Sequence, residues 1–202
     1  MIETRAFKKL FGTTFIKKIL SIAVAALFIP CGSVSSSATL HTDSFRVTDS
    51  ISTIRRRYAF INRSLAKYRT VKKELSGFSA EGGELAAYFD GRVVMKIATV
   101  NQGETGRSFE DFYYWDEKLI FIFRKQETYD KPLSGEVVRT TEHRFYFSDD
   151  KLIRWIDENG KQIAPGAAEY QKKQNEYLRV SQRFVEGSRS QETTIEALAD
   201  SP

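Results

Sequence analysis

The fold is decided by a short segment that occurs three times, as Tyr88-Phe89-Asp90-Gly91-Arg92-Val93-Val94, Tyr114-Trp115-Asp116-Glu117-Lys118-Leu119-Ile120 and Tyr146-Phe147-Ser148-Asp149-Asp150-Lys151-Leu152-Ile153. Each copy has an aromatic pair, a short acidic segment, a basic residue and an aliphatic run. Polar pairs such as Asp-Gly supply the backbone angles of a tight turn, and aromatic and aliphatic residues fill the flanking strands. The three copies therefore predict three β-hairpins.

Six strands are predicted around these turns. Their ranges are 84–89, 92–100, 107–115, 118–128, 136–147 and 151–157. Short connections favour antiparallel pairing of consecutive strands. The sequence therefore predicts an α+β fold with a six-stranded antiparallel meander.

The turn segments resemble the tyrosine-rich Y-Y/F-x-(D/N)-G-K-L hairpins of many bacterial exported proteins and lipoproteins, and distantly the MORN-type repeats. The resemblance covers residues 80–160 and implies an envelope location, but it implies no catalytic residue. The interval between turns changes from 26 residues (Phe89 to Trp115) to 32 residues (Trp115 to Phe147). A repeat array keeps a steadier period, so we predict one sheet of similar hairpins.

An amphipathic helix is predicted before the sheet, beginning near Asp49 and ending before Gly77. Its apolar residues recur at intervals of three and four: Ile51, Ile54, Tyr58, Ile61, Leu65, Tyr68, Val71 and Leu75. Its other face is basic: Arg55, Arg56, Arg63, Lys67, Arg69, Lys72 and Lys73. We interpret the apolar stripe as a cover for the sheet and the basic face as solvated. The alternative is a helix that lies on anionic lipid or on an acidic partner.

Both faces of the predicted sheet carry apolar residues. Simple alternation puts Leu119, Phe121 and Phe123 on one face, and Ile120 and Ile122 on the other. Both faces must therefore be covered. The first helix can cover one face, and the other needs the C-terminal segment, curvature into a partial barrel, or a partner.

A second helix is predicted from Pro165 to about Val185. Its apolar residues are sparse, so we expect it to dock only partly. Residues 188–202 are polar and are predicted to be disordered.

The N-terminal residues are typical of an export signal. Lysines precede the uncharged run Ile19–Ile29, whose eleven residues rise only about 16 Å as a helix, against a hydrocarbon core of about 30 Å. Cleavage can follow Ala38. Alternatively, Cys31, followed by a Ser/Gly-rich tether, can become the lipidated first residue of a lipoprotein.

These features predict four segments. Residues 1–38 are a signal peptide (or a lipoprotein signal that ends before Cys31), 39–48 a linker, 49–187 a single α+β domain, and 188–202 a tail. The predicted location is the periplasm, the outer membrane or the extracellular space.

Charge and composition exclude several classes of protein. The chain carries a net charge of +5, but residues 1–38 contain five basic residues and one acidic residue. The remaining 26 basic and 25 acidic residues nearly balance, which argues against nucleic-acid binding. Histidine occurs only at His41 and His143, and Cys31 is the sole cysteine, so neither a metal site nor a cofactor is predicted.

Candidate ligand-binding residues lie on the strands. They are Glu110, Tyr114, Glu142, Arg144 and Tyr146, and they share one sheet face if the strand register allows it. A face that mixes Glu, Arg and Tyr can bind a polar ligand or act in acid–base catalysis. The simpler interpretation is cross-strand ion pairing.

The leading hypothesis is a non-catalytic envelope protein, secreted or lipid-anchored, that binds a protein or an envelope component through its sheet face. An alternative is a carrier that holds an apolar ligand between the helix and a curved sheet. A hydrolase that uses the Glu/Arg/Tyr face is the least favoured hypothesis. The sequence does not indicate the oligomeric state.

Replacing Cys31 with serine separates the two forms of export. If Cys31 is lipidated, the C31S variant loses membrane association and its precursor accumulates, because serine has no thiol to acylate. If cleavage follows Ala38, neither property changes. Cell fractionation and the mass of the exported protein measure both outcomes, and Ser33→Ala is the matched control, which should change neither.

Overall fold

The computed structural model describes residues 38–197, with side chains from residue 47 onward. Helix α1 spans Ala38–Ser64 and is followed by a 3₁₀ turn at Leu65–Lys67. Seven strands come next: β1 Arg69–Ser76, β2 Gly83–Asp90, β3 Val93–Gly103, β4 Gly106–Trp115, β5 Lys118–Tyr129, β6 Val137–Ser148 and β7 Lys151–Ile156. Helix α2 spans Ala168–Arg189, and β8 spans Thr194–Glu196. Residues 1–37, which include Cys31 and the predicted export signal, lie outside the described residues.

The strands form one eight-stranded sheet in the order β7-β6-β5-β4-β3-β2-β1-β8. β1 to β7 pair as an antiparallel meander, whereas β8 runs parallel to β1. The predicted α+β class and the antiparallel sheet are confirmed. The predicted number of six strands is wrong, because β1 and β8 extend the sheet beyond β2.

β1 comes from the C-terminal part of the predicted first helix. The helix ends at Ser64, and the chain from Arg69 onward pairs with β2. Val71, Lys73 and Leu75 alternate toward the core while their neighbours are exposed. Val71 and Leu75 are four residues apart, a spacing that also fits a helix, so periodicity alone assigned them wrongly. The predicted linker at 39–48 is helical and belongs to α1.

The three predicted hairpins are present, each with a two-residue turn. Asp116 and Glu117 have φ angles of 50° and 60°, and Asp149 and Asp150 have 49° and 59°. Two successive positive φ angles are typical of type I′ turns. Gly91 opens the first turn with φ 60°.

Each hairpin also contains a β-bulge on its return strand, at the third residue after the turn. The strand register skips this residue, which is Met95, Ile120 or Ile153, opposite two neighbouring aromatic residues of the first strand. Consequently Ile120 and Phe121 both face α1, and simple alternation along β5 is broken. Leu119 instead joins Ile122 on the opposite face.

The two helices cover opposite faces of the sheet. On the α1 side, Ile51, Ile54 and Ile61 pack in a cluster with Tyr113 and Phe121. On the α2 side, a larger cluster includes the three α2 residues Tyr170, Tyr177 and Phe184, which are at most 4% exposed. The expected partial docking of the second helix is therefore wrong. Tyr170, Tyr177 and Phe184 recur every seven residues, so three large rings enter the sheet from one stripe.

The C-terminal segment is ordered as far as Ala197, contrary to the prediction of a disordered tail from residue 188. Ile195 in β8 is 2% exposed and belongs to the α2-side cluster. The buried Lys73 ammonium donates hydrogen bonds to the carbonyl oxygens of Ser190, at 3.0 Å, and of Glu192. These bonds satisfy carbonyl groups just beyond the end of α2. Residues 198–202 of the predicted tail lie outside the described residues.

Replacing Gly91 with alanine should lower the free energy of unfolding by about 1 kcal/mol, because an L-residue is strained at positive φ. No atom lies within 4 Å of the added Cβ, so packing does not contribute. Gly166→Ala is the matched control: its Cβ also meets no atom, and its φ is not in the left-handed region. The control should be neutral or slightly stabilising. Urea unfolding measures both, and equal effects would contradict the assigned turn.

Candidate functional site

Laterally paired residues on the α2 side of the sheet form three rows, and of these only the row nearest the aromatic turns is wholly apolar. The first row is apolar and consists of Ile97, Phe112, Ile122 and Phe145. The second row is Thr99, Glu110, Arg124 and His143. The third row has small or polar side chains and consists of Gly83, Asn101, Ser108 and Gln126.

A cleft of about 340 Å³ lies over the polar rows, between α2 and the sheet. Its floor includes Asn101, Ser108, Glu110, Arg124 and Gln126. Its apolar wall consists of Tyr177, Val180 and Phe184 from α2, and Phe78 from the β1–β2 loop. This combination of an apolar wall and a few polar groups is typical of small-molecule sites.

Glu110 is a largely buried carboxylate of the cleft. The Tyr177 hydroxyl donates a hydrogen bond to Glu110 Oε1 at 3.1 Å, and Arg124 Nε lies 3.7 Å from the same oxygen. Burial raises the pKa of Glu110 above its ordinary value, although Arg124 and the Tyr177 hydrogen bond act in the opposite direction. The guanidinium and the hydroxyl thus hold a carboxyl group whose side chain is 14% exposed to the cleft.

Two polar atoms at this cleft lack hydrogen-bond partners among the described residues. Asn101 Oδ1 is buried with no donor. Arg124 Nε is also buried, and its 3.7 Å distance to Glu110 is too long for a hydrogen bond. The Arg124 guanidinium is anchored elsewhere, because Nη2 donates to Gln126 Oε1 at 3.2 Å.

Two glycines let the backbones approach closely at the rim of the cleft. A Cβ at Gly106 would lie 2.1 Å from the Glu127 carbonyl oxygen. A Cβ at Gly83 would lie 2.7 Å from Asn101 Oδ1. A larger residue at either position would therefore displace the strand or the amide that forms the floor.

His143 ends the second row but does not line the cleft. Its Nδ1 accepts a hydrogen bond from Trp155 Nε1 at 3.3 Å. Burial lowers the pKa of His143, and the neighbouring Arg124 lowers it further. The imidazole therefore packs as a neutral acceptor against Trp155.

The predicted ligand face is divided between the two sides of the sheet. Glu110 and Tyr114 face α2, whereas Glu142, Arg144 and Tyr146 face α1. The expectation of one shared face is wrong, because the register pairs Glu110 with Arg124, and Arg124 with His143. The side chain of His143 lies on the face opposite to those of its neighbours in β6.

Only Glu110 of the five predicted residues lines the cleft. The hydroxyl of Tyr114 hydrogen-bonds to that of Ser181 at 3.0 Å inside the α2-side core. Arg144 donates to Glu142 at 2.6 Å, but this ion pair lies within β6 and is not the cross-strand pairing of the simpler interpretation. Tyr146 packs in the α1-side cluster.

Sequence reasoning missed Asn101, Arg124 and Tyr177 as cleft residues. Asn101 begins the two-glycine segment 101–106, which was predicted to be a loop. In the structure β3 continues to Gly103, so Asn101 lies within a strand. Arg124 is a charged residue after the aliphatic run of β5, and this position could have indicated a polar end of the strand. For Tyr177 the sequence indicated only a place on the second helix, and nothing in it predicted a contact with Glu110.

The described residues contain no group of three or more His, Cys, Asp or Glu residues placed to hold a metal ion. Neither α1 nor α2 combines the length and the apolar character that a membrane-spanning helix requires. The chain matches none of the protein-family models, curated proteins or solved structures with which it was compared.

Glu110→Gln should become more stable relative to the wild type as the pH rises. The raised pKa of Glu110 means that the folded chain holds its proton more tightly than the unfolded chain, whose value is near 4.5. The wild type therefore loses stability as the pH rises through the interval between the two values. Gln does not titrate, so the variant lacks this loss. Urea unfolding between about pH 3 and pH 8 measures the difference.

Glu127→Gln is the matched control with the opposite sign. Hydrogen bonds from Lys125 and Arg107 lower the pKa of Glu127, so its stabilisation is present above about pH 4.5 and is lost as the pH falls through the folded value. This variant should lose stability relative to the wild type as the pH rises. If the stability of both variants, relative to the wild type, changed with pH in the same direction, the opposite pKa shifts of Glu110 and Glu127 would be contradicted.

Proposed function

We propose that this chain is an exported, non-catalytic binding protein whose ligand site is the cleft between α2 and the sheet. The observation that carries the proposal is the pair of buried atoms without hydrogen-bond partners, Asn101 Oδ1 and Arg124 Nε. A buried polar atom without a partner costs about 1–3 kcal/mol. Both side chains line the cleft, so a ligand bound there is placed to supply the missing bonds.

The two atoms define the chemistry of the ligand. Asn101 Oδ1 requires a hydrogen-bond donor, and Arg124 Nε requires an acceptor. A hydroxyl group is both. The half-buried ring of Phe78 adds an apolar surface against which the flat face of a small ring can pack. The proposed ligand is therefore a small, hydroxyl-rich molecule, and sugars are the envelope components with that chemistry.

The alternative of an apolar-ligand carrier has weaker support. Such a ligand would lie deep between the helix and the sheet, where rings already touch. The centroids of Phe145 and Tyr177 are 4.7 Å apart, and those of Phe112 and Phe184 are 5.4 Å apart. The open space lies over charged and amide side chains instead, which an apolar ligand would desolvate without replacing their hydrogen bonds.

Binding has better support than catalysis because the carboxylates of the cleft are already engaged. Glu110 accepts the Tyr177 hydrogen bond and faces Arg124. Glu176 is ion-paired with Lys173 at 2.7 Å. Acid–base catalysis needs a group that can exchange a proton with the substrate, whereas both carboxylates already hold a hydrogen-bond or ion-pair partner within the protein.

Export supports an envelope role for this binding protein. The proposal of export rests on the basic and apolar N-terminal sequence, and the secreted and lipid-anchored forms remain alternatives. In either form the domain that carries the cleft would act outside the cytoplasm, where sugars of the envelope are within reach.

A panel of monosaccharides, disaccharides and sugar acids tests the proposal by calorimetry and by ligand-observed NMR. Asn101→Leu keeps nearly the same side-chain size but removes the acceptor. Asn175→Leu makes the same change on the exposed surface of α2, outside the cleft. A compound that binds the wild type should bind the N175L variant equally and the N101L variant about tenfold more weakly, as the loss of one hydrogen bond implies.

Equal binding to all three proteins would place the ligand elsewhere and reject the cleft. Failure of every hydroxyl-rich compound to bind the folded wild type would reject the proposed ligand class. Circular dichroism and urea unfolding establish that both variants fold.

A further inference from the structure

The outward face of α1 carries arginines next to two aromatic rings. We call Arg56, Arg57, Phe60, Arg63 and Trp115 the basic patch, and these residues line one shallow depression. Phe60 is 46% exposed, and its ring meets Trp115 edge-on at 5.8 Å. The Arg57 guanidinium lies 5.0 Å from the centre of the Trp115 ring.

The three arginines of the basic patch have no carboxylate within ion-pair distance among residues 47–197. The only acidic residue in that part of α1 is Asp49, about two turns before Arg56. Two other cations on the same side of the sheet do have acidic partners: Lys96 is paired with Asp111, and Arg144 is paired with Glu142. The positive charge of the basic patch is therefore not neutralised locally.

We infer that the basic patch docks on the anionic surface of a lipid bilayer. Guanidinium groups bind phosphate through paired hydrogen bonds, and tryptophan and phenylalanine settle at the depth of the headgroups. The lipid-anchored form of the protein supports this occupant, because only six residues separate Cys31 from the start of α1, so a lipid on Cys31 would hold the helix beside the bilayer. An acidic protein would match the charge, but it would not be held next to the helix in this way.

The test compares the full chain with two triple variants on vesicles of phosphatidylcholine, with and without phosphatidylglycerol. The first variant reverses the charge of the basic patch: R56E/R57E/R63E. The control reverses three exposed cations elsewhere: R92E/K131E/K172E. The apolar run can insert regardless of lipid charge, so the measured quantity is the preference for anionic over neutral vesicles in co-sedimentation.

The wild type and the control should bind anionic vesicles at least tenfold more strongly than neutral ones, and 1 M salt should remove most of that preference by screening. The patch variant should lose the preference. If it keeps the preference, the inference is wrong. Polyglutamate serves as a probe that mimics an acidic protein. If the wild type bound polyglutamate through the basic patch but showed no preference for anionic vesicles, the proposed bilayer would be rejected in favour of an acidic protein.

A second measurement does not depend on how the charge-reversed variant folds. Brominated lipids in anionic vesicles should quench the fluorescence of Trp115 in the wild type, because quenching requires close contact with the ring. Trp155 is only 8% exposed and lies under α2, so it should be spared. Trp115→Phe should abolish the quenching. Unquenched emission from vesicle-bound protein would overturn the inference.

Discussion

The apolar character of both faces of the central strands is the constraint on which the rest of the structure depends. Phe112 and Ile122 face one side, whereas Tyr113 and Phe121 face the other. Leaving either face in water would forfeit roughly 25 cal/mol per Å² of apolar area. The strands are joined by connections too short to contain a helix, so the covers must come from the two ends of the chain. α1 and α2 provide them.

The bulged hairpins set the difference between the two ends of the sheet. Neighbouring rings such as Tyr113 and Tyr114 alternate to opposite sides of the sheet, and the bulge on each return strand adds one more apolar side chain on the α1 side. All three hairpins lie at the same end, which is therefore filled with large side chains. At the other end the α2 side carries small and polar residues such as Asn101 and Ser108, and α2 leaves a cleft above them. The cleft is thus a consequence of the concentration of large aromatic residues at the hairpin end of the sheet.

The two proposed surfaces lie on opposite sides of the sheet. The cleft opens on the α2 side, and the basic patch lies on the α1 side. A chain docked on a membrane through the basic patch would keep its cleft away from the bilayer. This arrangement suits a protein that meets soluble, hydroxyl-rich ligands while it stays at a membrane surface.

The sequence by itself determined the hairpins, the amphipathic start of α1 and the need for two covers, because turn chemistry and side-chain period act over a few residues. It did not determine β1, since the spacing of Val71 and Leu75 satisfies a helix and a strand equally well. It also could not place Glu110 and Glu142 on opposite faces. That depends on bulges and on the register across β5, which are decided when many strands pack at once. Only the tertiary structure therefore brought Asn101, Glu110, Arg124 and Tyr177 into one cleft.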